Sequence, residues 1–179
     1  GTVSLPILAK KIKTKNLSQA LNIQNKSIEL CLLLSIPASI GLIIASDEIT
    51  NALFGYGSFS NSDVQLTSMA LKYFGYGVSG FALVKVLSNF FFARDNTKTP
   101  FYVSLFNVFL NVSISLIFFR SIGFLIIPIA TSIAAWSSVL IYLILLTKNK
   151  HINTEFFFNK NYAKICLASL IMAIALYFG

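Results

Sequence analysis

Apolar positions along the chain fall into long, nearly unbroken runs rather than the half-polar periodic patterns of a soluble fold. Five runs stand out, at about 28–46, 66–93, 101–119, 124–146 and 163–178. Roughly 20 apolar residues carry an α-helix across the hydrocarbon of a bilayer. Backbone N–H and C=O groups cannot go unpaired in lipid, so such runs are satisfied as helices. The predicted fold is therefore all-α: a polytopic transmembrane helix bundle of about five spans plus the end of a preceding one. Residues Gly1 to Ala9 read as the end of that preceding apolar segment, and the sequence stays apolar to Gly179. The chain is accordingly expected to be a piece of a longer membrane protein.

Composition sharpens this picture. Of the 179 residues, 56% are apolar and 11% charged, against roughly 45–50% and about 25% in ordinary soluble domains. That excludes a disordered tail and disfavours a soluble globule. The net charge of +8 would point to nucleic acid if it lay on one polar face. It is instead divided among short clusters between the runs, so no nucleic-acid partner is expected.

The clusters alternate, and the alternation gives a direction. Lys10, Lys11, Lys13, Lys15 and Lys26 precede the first run; Arg94 and Lys98 lie between the second and third; Lys148, Lys150, Lys160 and Lys164 lie between the fourth and fifth. These three segments hold eleven of the 14 basic residues. The other two connections, about 47–65 and 120–123, hold only Arg120, together with Asp47, Glu48 and Asp63. Basic loops stay on the cytoplasmic side, so the first, third and fifth spans run outward and the second and fourth inward. In the connection 47–65, Leu53-Phe-Gly-Tyr-Gly-Ser-Phe-Ser60 predicts a tight turn at the interface, with Asp63 a cap for the next helix. Phe156-Phe-Phe158 and Tyr162 have the character of an interfacial aromatic belt. His151 reads as a solvated loop residue.

Lys85 is the most informative position. It stands nine residues before Arg94, about 13 Å into the membrane at 1.5 Å per residue. An unpaired charge there costs at least about 2.5–3.5 kcal/mol. One reading is a lysine that snorkels or pairs with a carboxylate; the other, which the default for intramembrane charge favours, is a basic residue lining a polar cavity. Ser88 and Asn89, at i+3 and i+4, share its face, whereas Lys72 reads as interfacial. In the third run Ser104, Asn107, Asn111 and Ser115 stack on one helix face, as interhelical hydrogen bonding or a cavity wall would both require. Ala130-Thr-Ser-Ile-Ala-Ala135 permits close helix approach, and Trp136 reads as a packing residue.

Catalytic chemistry finds no support. The six acids are scattered over loops and span ends, and the single His has no partner, so no catalytic residue is assigned. Cys31 and Cys166 sit inside apolar runs with no metal spacing and read as packing residues. No metal or cofactor is expected. Gly75-Tyr-Gly77-Val-Ser-Gly80 satisfies G-x-G-x-x-G, but no strand precedes it. Its glycines are expected to pack one membrane helix against another.

The stretch Val84-Lys-Val-Leu-Ser-Asn-Phe-Phe-Phe-Ala-Arg-Asp-Asn-Thr-Lys-Thr-Pro100 resembles a characteristic segment of the MurJ/MviN family, bacterial lipid II flippases of the multidrug/oligosaccharidyl-lipid/polysaccharide exporter superfamily. Gly1-Thr-Val-Ser-Leu-Pro6, Leu34 to Leu42, Leu53 to Phe59, Gly123 and Ala130 to Trp136 resemble further family segments in the same order. The resemblance covers about residues 1–147, as part of a C-terminal transporter lobe; residues 148–179 are a basic cytoplasmic loop and an additional terminal span. It implies a fourteen-helix transporter of two six-helix lobes and two terminal helices. Of these, the chain would be the end of the eighth through the thirteenth, most of the second lobe. It also implies alternating access, the bacterial inner membrane, and as partners a lipid-linked peptidoglycan precursor, membrane lipids and the N-terminal lobe of the same protein. Lys85 matches the family lysine and becomes, with Ser88, Asn89, Asn107 and Asn111, a candidate for the substrate cavity. Arg94, Asp95, Lys98, Thr99 and Pro100 match the cytoplasmic connection, Pro100 opening the next helix. The competing readings are another exporter of the superfamily, for polysaccharide lipids or drugs, or a five-span accessory membrane protein.

Overall fold

A computed structural model describes residues 4–14, 16–56, 60–149 and 160–178. Every regular element in them is helical: α1 (Ser4–Lys13), α2 (Leu17–Ile44), α3 (Ser46–Phe54), α4 (Asn61–Phe92), α5 (Lys98–Ile122), α6 (Ile126–Lys148) and α7 (Lys160–Phe178), with one 3-10 turn at Gly123–Leu125. Three helical stretches are long and apolar enough to cross a membrane: Ser18–Ile44, Asn61–Phe92 and Lys98–Lys148. The last folds into two helices at Gly123, whose φ of 72° lies in the left-handed region that a residue with Cβ avoids. The chain is thus a multi-pass membrane protein, and the expected spans each correspond to a helix.

The boundaries differ from the expected ones for identifiable reasons. α2 starts at Leu17 rather than near residue 28 because its first turns are helical but polar, Asn16 capping them through Oδ1, which accepts from the Gln19 amide at 3.3 Å. Lys26 therefore lies within a helix, not in a loop. The connection 47–65 contains α3, a two-turn helix too short and mixed to register as a hydrophobic run. Gly55 closes α3 with a negative φ of −70°, so no left-handed turn occurs there. The cap of α4 is Ser60, not Asp63. The Ser60 hydroxyl accepts from the Asp63 amide at 3.2 Å while the Asp63 carboxylate accepts from the Ser60 amide at 3.1 Å, a reciprocal capping box. Residues 57–59, His151 and Phe156–Phe158 lie outside the described residues.

α4 is the central helix, between α2 and α6. Against α2, Ser39 and Ser79 hydroxyls meet at 2.8 Å and the Ser79 amide donates to Ser39 Oγ at 3.2 Å. A methyl at Gly75 would come within 2.8 Å of the Ile43 side chain, so the absence of a side chain sets this approach. Against α6, Ser132 Oγ donates to the Tyr73 carbonyl at 2.8 Å and the Trp136 indole to the Tyr76 carbonyl at 2.9 Å. These pairs rise together in number, so α4 and α6 run parallel. α2 and α4 run antiparallel, and so do α5 and α6, where Asn107 meets Ala134 and Ser138 while Asn111 meets Thr131. These relations agree with the directions read from the basic loops. The glycine-rich stretch is a helix-packing segment, and Trp136 is more than a packing residue because its N–H is bonded.

At 32 residues, α4 is about 48 Å long, beyond the roughly 30 Å of hydrocarbon. Exposed Lys72 and the residue after its C-cap, Arg94, bracket the last 20 residues of it and the cap Ala93. This leaves the first turns outside the membrane and Lys85 about 13 Å from Arg94. Beneath it, Leu87, Phe90, Phe91 and Tyr142 are buried, with the Phe91 and Tyr142 rings 5.5 Å apart between α4 and α6. Cys31 is half-buried in α2, whereas Cys166 is exposed on α7, so only the former packs within this chain.

Candidate functional site

Where α4, α5 and α6 diverge, they leave an open cleft of about 270 Å³ lined by Phe81, Val84, Ser104, Asn107, Ser138 and Tyr142 among others. Its apolar side is furnished by α4 and its polar side by the facing stripe of α5 and by α6. Ser104 and Asn107 line it from one face of α5, and Asn111 follows at the same helical spacing along the seam with α6. Asn107 Nδ2 donates to the Ala134 carbonyl at 2.8 Å and to Ser138 Oγ at 2.7 Å; Asn111 Nδ2 donates to Thr131 Oγ1 at 2.9 Å, and Thr131 in turn donates to the Ile127 carbonyl at 2.7 Å. The amide nitrogens thus hold α5 to α6; Asn107 spends both of its N–H groups on α6, which leaves its side-chain oxygen for other contacts. Both residues are half-buried.

Lys85 is exposed one turn beyond Phe81 on α4, in line with exposed Phe74, Phe81 and Phe92. None of the described helices covers this stripe. Among the described residues, Lys85 has no ion pair. Ser88 Oγ donates back to the Lys85 carbonyl at 3.0 Å, and both Ser88 and Asn89 are half-buried one turn nearer the C-terminal end of α4. The structure therefore places Lys85, Ser88 and Asn89 together on α4, and Asn107 and Asn111 at the α5–α6 seam.

The connection from Arg94 to Pro100 is a shaped turn. Arg94 Nη1 donates to the Phe90 carbonyl at 2.7 Å, satisfying one of the last carbonyls of α4. Burial pushes the Arg94 guanidinium below its ordinary pKa, from a starting value so high that it stays charged. Asp95 adopts φ 57°, a left-handed conformation that Asp tolerates better than most residues. Asn96 then folds over the start of α5, accepting from the Thr99 amide at 3.1 Å and donating to Thr99 Oγ1 at 3.0 Å. Lys98 is exposed and Pro100 buried in the first turn of α5, where the missing N–H costs nothing. Sequence reasoning placed Thr131, Ser132 and Trp136 in helix packing but missed their hydrogen bonds, and missed Ser138 altogether. The only signal for them was the need of a polar group in lipid for a partner.

Comparisons with known proteins bear on the same segments. The family model described as "Lipid II flippase MurJ" matches residues 1–179. The chain is similar to the "Probable lipid II flippase MurJ" of Rickettsia prowazekii (strain Madrid E), 35% identical over 174 residues that are 97% of this chain and 34% of that protein. The protein of the same description from Rhizobium tropici is 32% identical over 172 residues, 96% of this chain and 32% of that one. Among solved structures, "Lipid II flippase MurJ, inward closed conformation" superposes with a TM-score of 0.80 at 30% identity, over 97% of this chain and 36% of that chain. The chain thus spans about a third of the length of the relatives it matches. With a family model covering it from Gly1 to Gly179 and the helix order of a solved member, the chain belongs to the MurJ family.

Proposed function

We propose that this chain supplies most of the second lobe of a flippase that moves lipid II across the bacterial inner membrane by alternating access. The family match and the names borne by its relatives support the substrate class. The observation that carries the reading is Lys85: an exposed ammonium at membrane depth, one helical turn from Phe81, which lines the cleft together with Ser104, Asn107 and Ser138. A cation is stable at that depth where water or an anion meets it. In this reading its positive potential favours the pyrophosphate of the substrate headgroup, with Ser88, Asn89, Asn107 and Asn111 offering hydrogen-bonding groups along the path. The lipid tail stays in hydrocarbon while the headgroup crosses a wet cavity between this lobe and the N-terminal one. No covalent bond is made or broken, so the protein is a transporter rather than an enzyme. The turn from Arg94 to Pro100 holds the cytoplasmic ends of α4 and α5 in register.

The test is complementation of a flippase-depleted strain by the full-length protein. Lys85→Ala is expected to abolish growth at normal membrane levels, with lipid-linked precursor accumulating on the cytoplasmic leaflet, and Lys85→Arg to retain it. Growth supported by Lys85→Ala would remove the assigned role of Lys85. Normal precursor translocation after depletion of the whole protein would remove the flippase reading itself.

A further inference from the structure

On the other side of the bundle from α5, α2 and α7 splay apart and leave a cleft of about 410 Å³ lined by Lys26, Glu29, Leu30, Leu33, Lys164 and Ile165. Lys26 sits where α2 changes from polar to apolar, and Lys164 one turn after α7 begins. Both helices thus enter the hydrocarbon at the level of the cleft, on the side that the basic loops assign to the cytoplasm. Among the described lining residues, two ammonium groups and one carboxylate give one net positive charge. Beyond the lysines the walls become lipid-facing: Leu30 is 59% exposed and Leu33 47% on α2, and Leu167 63% and Leu170 59% on α7. On the cytoplasmic side, Gln19 and Asn22 line a second hollow of about 330 Å³ that shares Lys26.

We propose that this cleft is a binding site for an anionic glycerophospholipid of the cytoplasmic leaflet, of phosphatidylglycerol type. The phosphodiester, with its single negative charge, sits between Lys26 and Lys164. The glycerol hydroxyls meet the amides of Gln19 and Asn22, and one acyl chain lies along Leu30 and Leu33. Basic pockets between transmembrane helices on this side of a membrane recognise anionic headgroups in the same manner. Each element of the ligand finds a complement at its own depth: charge at the boundary, amides in the wet zone, leucines in hydrocarbon. The site is separate from Lys85 and from the cleft between α4, α5 and α6, and does not depend on the flippase reading.

The test uses the full-length protein in phosphatidylcholine nanodiscs carrying phosphatidylglycerol with a photoreactive diazirine in its acyl chain, followed by peptide mapping. Adducts are expected on the α2 peptide containing Leu30 and Leu33. Unlabelled phosphatidylglycerol should displace them about tenfold better than phosphatidylethanolamine. The Lys26→Gln/Lys164→Gln variant should lose about tenfold of that labelling, with labelling elsewhere unchanged, and Lys26→Arg/Lys164→Arg should keep it. Absence of adducts from α2 and α7 would overturn the proposal. So would equal displacement by the two lipids, a measurement that needs only the unmodified protein and does not rely on any variant folding.

Discussion

The Trp136 indole on α6 donates its N–H to the backbone carbonyl of Tyr76 on α4 at 2.9 Å, one turn from where Ser132 donates to the Tyr73 carbonyl at 2.8 Å. Two side chains of one helix thus bind two main-chain oxygens of the next, fixing the axial register of α4 against α6. That register sets the height of Lys85 relative to the α5–α6 seam. Trp136→Phe keeps an aromatic ring over Gly80, where an added methyl would lie 3.5 Å from the indole, and removes the hydrogen bond alone. It is expected to lower the unfolding free energy of the full-length protein in mixed detergent–SDS titrations by about 1 kcal/mol.

Gly77 is the tightest point of the same contact. A methyl there would fall 2.5 Å from Ser132 Oγ and 2.8 Å from the Phe81 ring, and the serine cannot turn away without breaking its bond to Tyr73. Gly77→Ala should therefore destabilise by about 1–3 kcal/mol. Gly41→Ala, where nothing lies within 4 Å, should be neutral or stabilise by up to about 1 kcal/mol through the better helix propensity of alanine. The same SDS titration compares them, and equal effects would show that backbone approach does not limit the α4–α6 packing.

The α5–α6 seam makes unequal use of its two asparagines. Asn107→Ala removes bonds to both Ala134 and Ser138, while Ser138 keeps its own bond to the Ala134 carbonyl at 2.9 Å. The expected loss is about 1–2 kcal/mol. Asn111→Ala removes one bond and leaves Thr131 bonded to Ile127, so it should cost about half as much. If these side chains also serve substrate, both variants should lose complementation by more than these stability changes explain at normal membrane level.

Much of this arrangement is legible in the sequence because the bilayer imposes few choices. Long apolar runs become helices, basic loops give direction, and a lysine at membrane depth announces itself by its cost. What escapes is set by partners rather than by patterns. Ser39, Ser79 and Ser132 read like any small residue in a span until the facing helix is placed. Trp136 looks the same from sequence whether or not its N–H is bonded. α3 is hidden because Ser46 to Phe54 is short and mixed in polarity, and the start of α2 because its first turns are helical without being apolar. The cap of α4 lies three residues before the expected one because Ser60 and Asp63 satisfy each other, and either side chain is an acceptable N-cap. The polar stripe of α5 is visible as a stripe, but only the structure shows that its amide nitrogens face α6.

The proposed role of Lys85 requires that it lie in a hydrated path rather than in hydrocarbon, and thiol accessibility distinguishes the two. In a full-length background with Cys31, Cys166 and any other cysteine replaced, Lys85→Cys and Leu116→Cys are compared for reaction with a small anionic methanethiosulfonate in intact membranes. Leu116 is 74% exposed on the apolar surface of α5 and serves as the buried-in-lipid reference. The Lys85→Cys variant should react at least about tenfold faster, since only a thiolate in water attacks the reagent and displaces its sulfinate, and lipid II should slow it. Reaction no faster than that of the Leu116→Cys variant would contradict the hydrated path.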